Sequence, residues 1–346
     1  MKALYKSAPG AGNVSLTDRP VPVLNETDNV LVHVKACAIC GMDFHIYHGK
    51  FPCTPPFIMG HEFVGTVTET LPGVTGLKPG DRVTAQPHLY SCGTCPACRM
   101  GLTQFCADKR SIGINRDGAM APYVAVPEKY LHKVPNNIPD KLACIIEPFS
   151  MVVGNFGIPI REEQAQTAVV IGAGQIGLLG VVAAKGYGIK QLIVSGVSND
   201  LDFRFPTAKK LGANVLVDST KENLTETVME LTNGVGADIV LEASGSQAGI
   251  NDAISLVKQG GLISVMGGTK KDAISVNWDA ALKKAIRLHF HMMSNYQYMD
   301  EAIRIFADPY TDLSPLITRE APLKDWEEVF GLMAEGRGLK NVLYID

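Results

Sequence analysis

The sequence predicts an α/β protein of two domains, one β-rich and loop-rich, the other a doubly wound parallel sheet. Three features predict this. The residues before about 150 read as short strands broken by Gly and Pro turns, and from residue 168 apolar strands alternate with helical stretches. The chain of 346 residues also exceeds what one hydrophobic core ordinarily organises.

In the first part, Val30, Val32 and Val34 alternate with Leu31, His33 and Lys35, the period of a strand. Lys78-Pro79-Gly80-Asp81 marks a turn before Arg82-Val83-Thr84. Strands are then expected at residues 168–171, 192–195, 215–218, 239–243 and 262–266, with a sixth through 286–292. Alternation of this kind builds a parallel sheet covered by helices on both faces. Met299, Ala302, Ile303 and Phe306 recur at helical spacing, as do Trp326, Val329, Phe330 and Met333, and residues 341–345 read as a strand. Such a tail is short for a domain of its own. It is expected to return to the first part, so that 1–150 and 296–346 form one discontinuous domain and 151–295 the other.

With 46% hydrophobic and 19% charged residues the composition is that of an ordinary globular protein. A net charge of −3 offers no broad attraction to nucleic acid or anionic lipid, so neither is expected as a partner. The opening Met1-Lys2-Ala3-Leu4-Tyr5-Lys6-Ser7 lacks the apolar centre of a signal peptide, and no apolar run is long enough to span a bilayer. A cytoplasmic location is expected, and there the eight cysteines read as thiols and metal ligands rather than disulfides.

Gly172-Ala173-Gly174-Gln175-Ile176-Gly177 follows an apolar strand directly and opens a helix-like stretch. In that context the glycines permit a tight turn, close approach of a pyrophosphate and close helix packing, and the helix N-terminus offers free N–H groups to phosphate. The fingerprint implies a dinucleotide. An acid at the end of the second strand would receive the ribose 2′-hydroxyl of NAD; here the strand ends in Ser195-Gly196. Absence of a carboxylate at Gly196, with Ser195, Ser198, Asn199 and Arg204 as donors, favours NADP, but only slightly, because Asp200 and Asp202 follow closely and no Arg sits immediately beside Gly196. The loops after the fourth and fifth strands, Ser244-Gly245 and Met266-Gly267, complete the expected cofactor surface.

Cys92, Cys95, Cys98 and Cys106 place four thiols within fifteen residues, a spacing suited to a closed tetrahedral zinc site. Four thiolates leave no open position, so such a site is structural. A redox CxxC pair would not explain four cysteines, and a nucleic-acid zinc finger would need a basic helix that is absent. Cys40, the pair His61-Glu62 and Glu147 are scattered, and spacing alone does not assemble them; a His beside a Glu is more often a hydrogen-bonded pair than a metal site. Cys37, Cys53 and Cys144 read as buried thiols.

Taken in order, these segments closely resemble the zinc-containing medium-chain dehydrogenases, especially the polyol (sorbitol-like) and threonine dehydrogenase branch. The matching segments are Cys40-Gly41-x-Asp43-x-His45, Gly60-His61-Glu62-x-x-Gly65, Gly80-Asp81-Arg82-Val83, the four-cysteine loop, Glu147-Pro148 and the glycine fingerprint. The resemblance covers essentially the whole chain. It implies a GroES-like catalytic domain and a Rossmann domain, with the active site in the cleft between them. It implies that Cys40 and His61 hold a catalytic zinc with Glu62 as third ligand, and that Glu147 reaches the metal directly or through water. Asp43 would orient a ligand, and His45 would relay a proton to solvent. An open zinc site supplies a Lewis acid that lowers the pKa of an alcohol oxygen and polarises a ketone.

One position departs from the family pattern. Met42 stands where Ser or Thr usually links the substrate oxygen to the relay histidine, and a thioether cannot pass a proton. Proton transfer is then expected through a zinc-bound water with Glu62 or Glu147. The expected activity is hydride transfer between NAD(P) and a secondary alcohol or polyol, including sugar alcohols, sugar acids and sugar phosphates. His45-Ile46-Tyr47 keeps a threonine-type amino-alcohol dehydrogenase as an alternative, and a catalytically silent nucleotide-binding relative is a further one. Homodimers or homotetramers are usual in the branch.

Overall fold

The computed structural model describes residues 1–290, 293–309, 312–335 and 338–345. The chain divides into two compact units: Met1–Ser150 with Ser294–Tyr310 and Ile317–Asp346, and Met151–Met293 with Thr311–Leu316.

The first unit is built on a seven-stranded sheet whose centre is the strand Val30–Ala38. That strand pairs antiparallel with Glu62–Thr70, Tyr123–Val126 and Lys340–Tyr344. Val30, Val32 and Val34 are buried, His33 is half-buried and Lys35 exposed, but Leu31 is buried too because the strand is covered along most of its length. The turn at Gly80 requires φ = +94°, which glycine adopts without strain, and Arg82–Ala85 follows as a strand. The C-terminal strand begins one residue before the expected start, at Lys340, and runs parallel to Ile317–Pro322. Within this sheet Ala38 lies opposite both Glu62 and Val342, so the sheet register brings the starts of two distant strands together.

Asn295 caps the helix Tyr296–Phe306 by accepting the Tyr298 N–H at 2.9 Å. Met299, Ala302, Ile305 and Phe306 are its buried face; Ile303, expected inside, is half-buried, because the buried stripe turns towards Ile305. Phe306 stacks on Phe149 with centroids 4.7 Å apart. Trp326, Val329 and Phe330 are buried on the helix Trp326–Ala334, and Met333 packs against the same core. Cys37 and Cys144 are buried thiols; Cys53 is only half-buried.

The second unit carries a six-stranded parallel sheet: β1 (Thr167–Ile171), β2 (Gln191–Gly196), β3 (Val215–Asp218), β4 (Ala237–Glu242), β5 (Val257–Val265) and β6 (Arg287–Phe290). Their order across the sheet is β3-β2-β1-β4-β5-β6, the doubly wound order with its reversal between β1 and β4. β5 starts five residues before the expected strand. Its pairing with β4 slips between Ala237–Val257 and Ile239–Leu262, and Gly260, at φ = +70°, sits inside that irregularity. The expected sixth strand ran to Met292; residues 291 and 292 lie outside the described ones. Val169, Ile171, Ile193, Val240 and Ile263 form the buried centre. Among the described residues no helix is long and apolar enough to cross a membrane.

Candidate metal centres and nucleotide loop

Pro96 at the first position of the short helix Pro96–Arg99 and the reversals at Gly93 and Gly101 fold the cysteine loop back on itself. The Sγ atoms of Cys92, Cys95, Cys98 and Cys106 then lie within 4.8 Å of one another. Backbone N–H groups point at them: Cys92 donates to Cys106 Sγ at 3.3 Å and Cys95 to Cys92 Sγ at 3.3 Å. Cys92 and Cys98 Sγ are 3.9 Å apart, far beyond a disulfide bond. Tetrahedral zinc, with bonds of about 2.3 Å to four thiolates, spaces neighbouring sulfurs by roughly 3.8 Å, so the donor set fits a closed zinc site. The hydrogen bonds from Thr94 hold the Cys92 thiol down at about 6, whereas burial and the neighbouring Cys95 push Cys98 up to about 11.

The second group is buried. Cys40, in extended conformation ahead of the helix Gly41–Tyr47, donates its N–H to Asp43 Oδ2 at 2.9 Å. That bond turns Asp43 Oδ1 towards His61 Nδ1 at 3.6 Å, and among the described residues neither of these two buried atoms has a hydrogen-bond partner. The sulfur of Cys40 and ligand atoms of His61 and Glu62 lie within 4.8 Å of one another. Glu62 presents both carboxylate oxygens to the Lys340 ammonium at 2.7 and 2.6 Å, with both residues buried. Glu147, in the first turn of Ile146–Val152, is buried beside this group but is not one of the three.

The electrostatics of the cluster follow from burial. Burial pushes the Glu147 carboxyl up to about 7, with Glu62 and Asp43 adding to the rise against the pull of His61 and Lys340. Burial and Glu62 likewise raise the Cys40 thiol. Burial alone would lower His61, but the Asp43 carboxylate and Cys40 outweigh it and hold the ring well above its usual range. Three carboxylates and a thiol therefore share a dry site with one lysine and one imidazole. Loss of the protons on Glu147 and Cys40 would leave excess negative charge in this buried site unless a cation compensated it, and a thiolate, an imidazole and carboxylates are the donors that zinc takes. The site fits a divalent ion.

His45 lies on the same helix as Asp43, half-buried, with its ring 6.2 Å from that of Phe44; it is not part of the metal group. Met42 packs half-buried against the apolar core. Sequence reading missed Lys340. Its only signal is a lysine opening the apolar run Lys340-Asn341-Val342-Leu343, and its partner is 278 residues away.

Each glycine of the nucleotide loop has its own reason. Gly172 takes φ = +103°, and a Cβ there would fall 2.9 Å from Ser244 N. A Cβ on Gly177 would fall 1.8 Å from Gly172 O, whereas Gly174 faces open space. No side chain caps the helix that Gln175 and Ile176 open, so its first N–H groups remain for phosphate. This cradle fits a pyrophosphate. Met266 and Gly267 donate their N–H groups to Glu242 O at 2.8 and 3.0 Å, and Ser244 and Gly245 bond to the Glu242 side chain.

The end of β2 brings one of the two following acids, Asp200, back to Gly196. A Cβ on Gly196 would fall 2.6 Å from Asp200 Oδ2, because the turn Ser198–Asp200 folds that carboxylate back into the space a side chain would fill. Asp200 accepts the Val197 N–H at 2.9 Å and Arg204 Nη1 at 3.0 Å. Ser195 accepts the Gly172 N–H through its carbonyl at 2.8 Å, and Ser198 Oγ donates to Asp218 at 2.7 Å. Asn199 is exposed.

Residues 26–136 match the family model of the alcohol dehydrogenase GroES-like domain, and residues 176–308 that of the zinc-binding dehydrogenases. Sorbitol dehydrogenase of Halalkalibacterium halodurans is 31% identical over 99% of both chains. The chain belongs to the zinc-containing medium-chain dehydrogenase family. Other dehydrogenases of the family are as similar: D-arabitol-phosphate dehydrogenase of Enterococcus avium, 32% identical over 99% of this chain and 97% of that one, and L-threonine 3-dehydrogenase of Proteus mirabilis, 32% identical over 99% of both. A candidate zinc-binding dehydrogenase from Sinorhizobium meliloti 1021, solved bound to NADP, superposes with a TM-score of 0.89 at 29% identity, over 99% of this chain and 98% of that one. The fold is a GroES-like domain with a Rossmann domain. The protein is a zinc-dependent oxidoreductase of secondary alcohols that uses a nicotinamide cofactor.

Gly177→Ala forces a methyl group onto the Gly172 carbonyl. Cofactor titration by fluorescence should show dinucleotide affinity at least about 10-fold weaker, with stability lowered by roughly 1–3 kcal/mol from overpacking.

Proposed function

We propose that this dehydrogenase interconverts a polyol, a sugar acid or a sugar phosphate with its ketone, at a catalytic zinc held by Cys40, His61 and Glu62. The observation that carries the proposal is the buried cluster in which three carboxylates and a thiol face one lysine and one imidazole. Glu147 approaches the metal directly or through water. A carboxylate offers about four lone-pair positions, so Glu62 can keep Lys340 and still serve as a ligand. Asp43 Oδ1 lies 3.6 Å from His61 Nδ1, and closing that gap to a hydrogen bond would leave Nε2 to face the metal. His45 passes the proton to solvent. When bound, zinc supplies a Lewis acid that lowers the pKa of the alcohol oxygen. A second, structural zinc is proposed at Cys92, Cys95, Cys98 and Cys106, for two per chain.

We assign residues 1–150 and 296–346 to the catalytic domain and 151–295 to the dinucleotide domain. The cofactor contacts proposed are Gly172, Gly174, Gln175, Ile176, Gly177, Ser195, Gly196, Ser198, Asn199, Ser244, Gly245, Met266 and Gly267. NADP is the proposed form. Asp200 is buried and neutralised by Arg204, which spends only Nη1 on it and keeps further donors for a 2′-phosphate. A homodimer or homotetramer is proposed, supported by Trp278, Leu282, Leu288 and Phe290, all exposed on or near the last strand of the parallel sheet. The cytoplasm is the proposed location, with no nucleic-acid or membrane partner.

A threonine-type substrate is the second reading, favoured by the threonine dehydrogenase relative and by His45-Ile46-Tyr47. One plate separates the two: reduced-nicotinamide absorbance with NAD and NADP across polyols, sugar acids, sugar phosphates, threonine and simple secondary alcohols, before and after chelation. Chelator-sensitive turnover of a polyol or sugar derivative is expected. Turnover of threonine alone would replace the leading reading, and chelator-resistant turnover would contradict the metal mechanism.

Arg204→Ala should lower kcat/KM for NADP about 10-fold and leave NAD within about twofold, the worth of one charge-assisted hydrogen bond of roughly 1.5 kcal/mol. Equal losses with both cofactors would remove the assignment of Arg204.

A further inference from the structure

Glu242 ends β4 and lies in one row across the sheet with Ile171 of β1 and Val265 of β5. Its side chain is fully buried. It accepts the Ser244 N–H at 3.0 Å, the Ser244 hydroxyl at 2.5 Å and the Gly245 N–H at 3.1 Å. All these donors are neutral, and none of the described residues supplies the carboxylate with a cation.

The packing around it is tight. A Cβ on Gly267 would fall 2.5 Å from Glu242 Oε2, one on Gly245 would fall 2.4 Å from Gly268 O, and one on Gly172 would fall 2.9 Å from Ser244 N. One carboxylate therefore holds the loop after β4, pressed between the loop after β5 and the glycine loop after β1. From the turn Val153–Gly157, Asn155 braces the same strand end, accepting Ser264 Oγ at 2.7 Å and donating to Val265 O at 3.2 Å. Burial raises the Glu242 carboxyl, and the Ser244 and Gly245 donors pull it back.

The position matters because of the half of the sheet in which the carboxylate lies. In the doubly wound order the first half carries the pyrophosphate loop after β1 and the adenosine ribose at the end of β2, so the half containing β4 and β5 receives the nicotinamide. The oxidised nicotinamide ring bears a positive charge and the reduced ring bears none. An unneutralised carboxylate in a dry site acts on that difference far more strongly than it would in water.

We infer that Glu242 is a positioning residue whose buried charge also tilts the enzyme towards the oxidised cofactor. The inference rests on the reading of this unit as a nicotinamide dinucleotide site. A mere loop anchor would support both redox forms alike; a charged one separates them.

The test is the dissociation constant of the holoenzyme's zinc-loaded chain for NADP⁺ and for NADPH, by cofactor and tryptophan fluorescence, in the parent and in Glu242→Gln. The amide keeps the size and removes the charge. The ratio Kd(oxidised)/Kd(reduced) should rise about 5- to 20-fold in the variant, with the reduced form weakened less than the oxidised one. An unchanged ratio, whether both constants move together or neither moves, overturns the inference. If circular dichroism shows Glu242→Gln unfolded, Glu242→Asp, which sets the charge back by one methylene, must raise the ratio in the same direction, and an unchanged ratio there overturns it equally. If the parent binds neither NAD nor NADP in either redox form, it is the dinucleotide reading that fails, and this inference falls with it.

Discussion

The pairing of Glu62 with Lys340 is the constraint on which the first unit turns. Both residues are buried, and neither charge is tolerable there alone, since removing one partner of a buried pair costs about 3–5 kcal/mol. The antiparallel sheet makes the pairing possible: Ala38 sits between Glu62 and Val342, so the opening residues of two strands that are far apart in sequence meet. The same register sets His61, one residue before Glu62, against Asp43 and Cys40 at the start of the helix that follows the central strand. One lysine does not cover the charge that Cys40 and Glu147 would add on losing their protons. The burial that makes the Glu62–Lys340 pair obligatory also raises the Glu147 and Cys40 groups, whose protons a divalent ion would displace.

The second unit solves the opposite problem. Phosphate must be received by backbone rather than by cations, so the loop after β1 gives up side chains at three positions for three separate reasons: a positive φ, an open face and a contact too close for any Cβ. Fixed carboxylates then shape its two ends. Asp200 fills the space above Gly196 and orders Arg204, and Glu242 ties two further loops to the first. The cation that balances Asp200 and the lack of one at Glu242 among the described residues make these two acids chemically unlike, although both are buried.

Much of this was legible in the sequence, and the limits are physical. The parallel strands were readable because a strand buried on both faces is a continuous apolar run, and the glycine loop because its requirements are local. The start of β5 was hidden by Gly260 and Gly261, which read as a turn and act as an irregularity inside a strand. Ile305 was missed in favour of Ile303 since a spacing pattern cannot say how wide a buried stripe is. The four cysteines identify themselves by proximity along the chain. Cys40, His61, Glu62 and Glu147 do not, and only resemblance to a family gathered them in advance. Lys340 and the folding-back of Asp200 lay beyond reach, because each depends on a register or a turn that brings a side chain to a partner that local patterning does not name.

The most direct measurement is the metal content of the purified protein by inductively coupled plasma mass spectrometry, for the parent chain and for Cys40→Ser combined with His61→Ala. If the buried cluster binds a divalent ion, the parent carries two zinc ions per chain and the double variant keeps one, at the cysteine loop. A parent with a single zinc that survives both substitutions would contradict the assignment of the buried cluster as a metal centre.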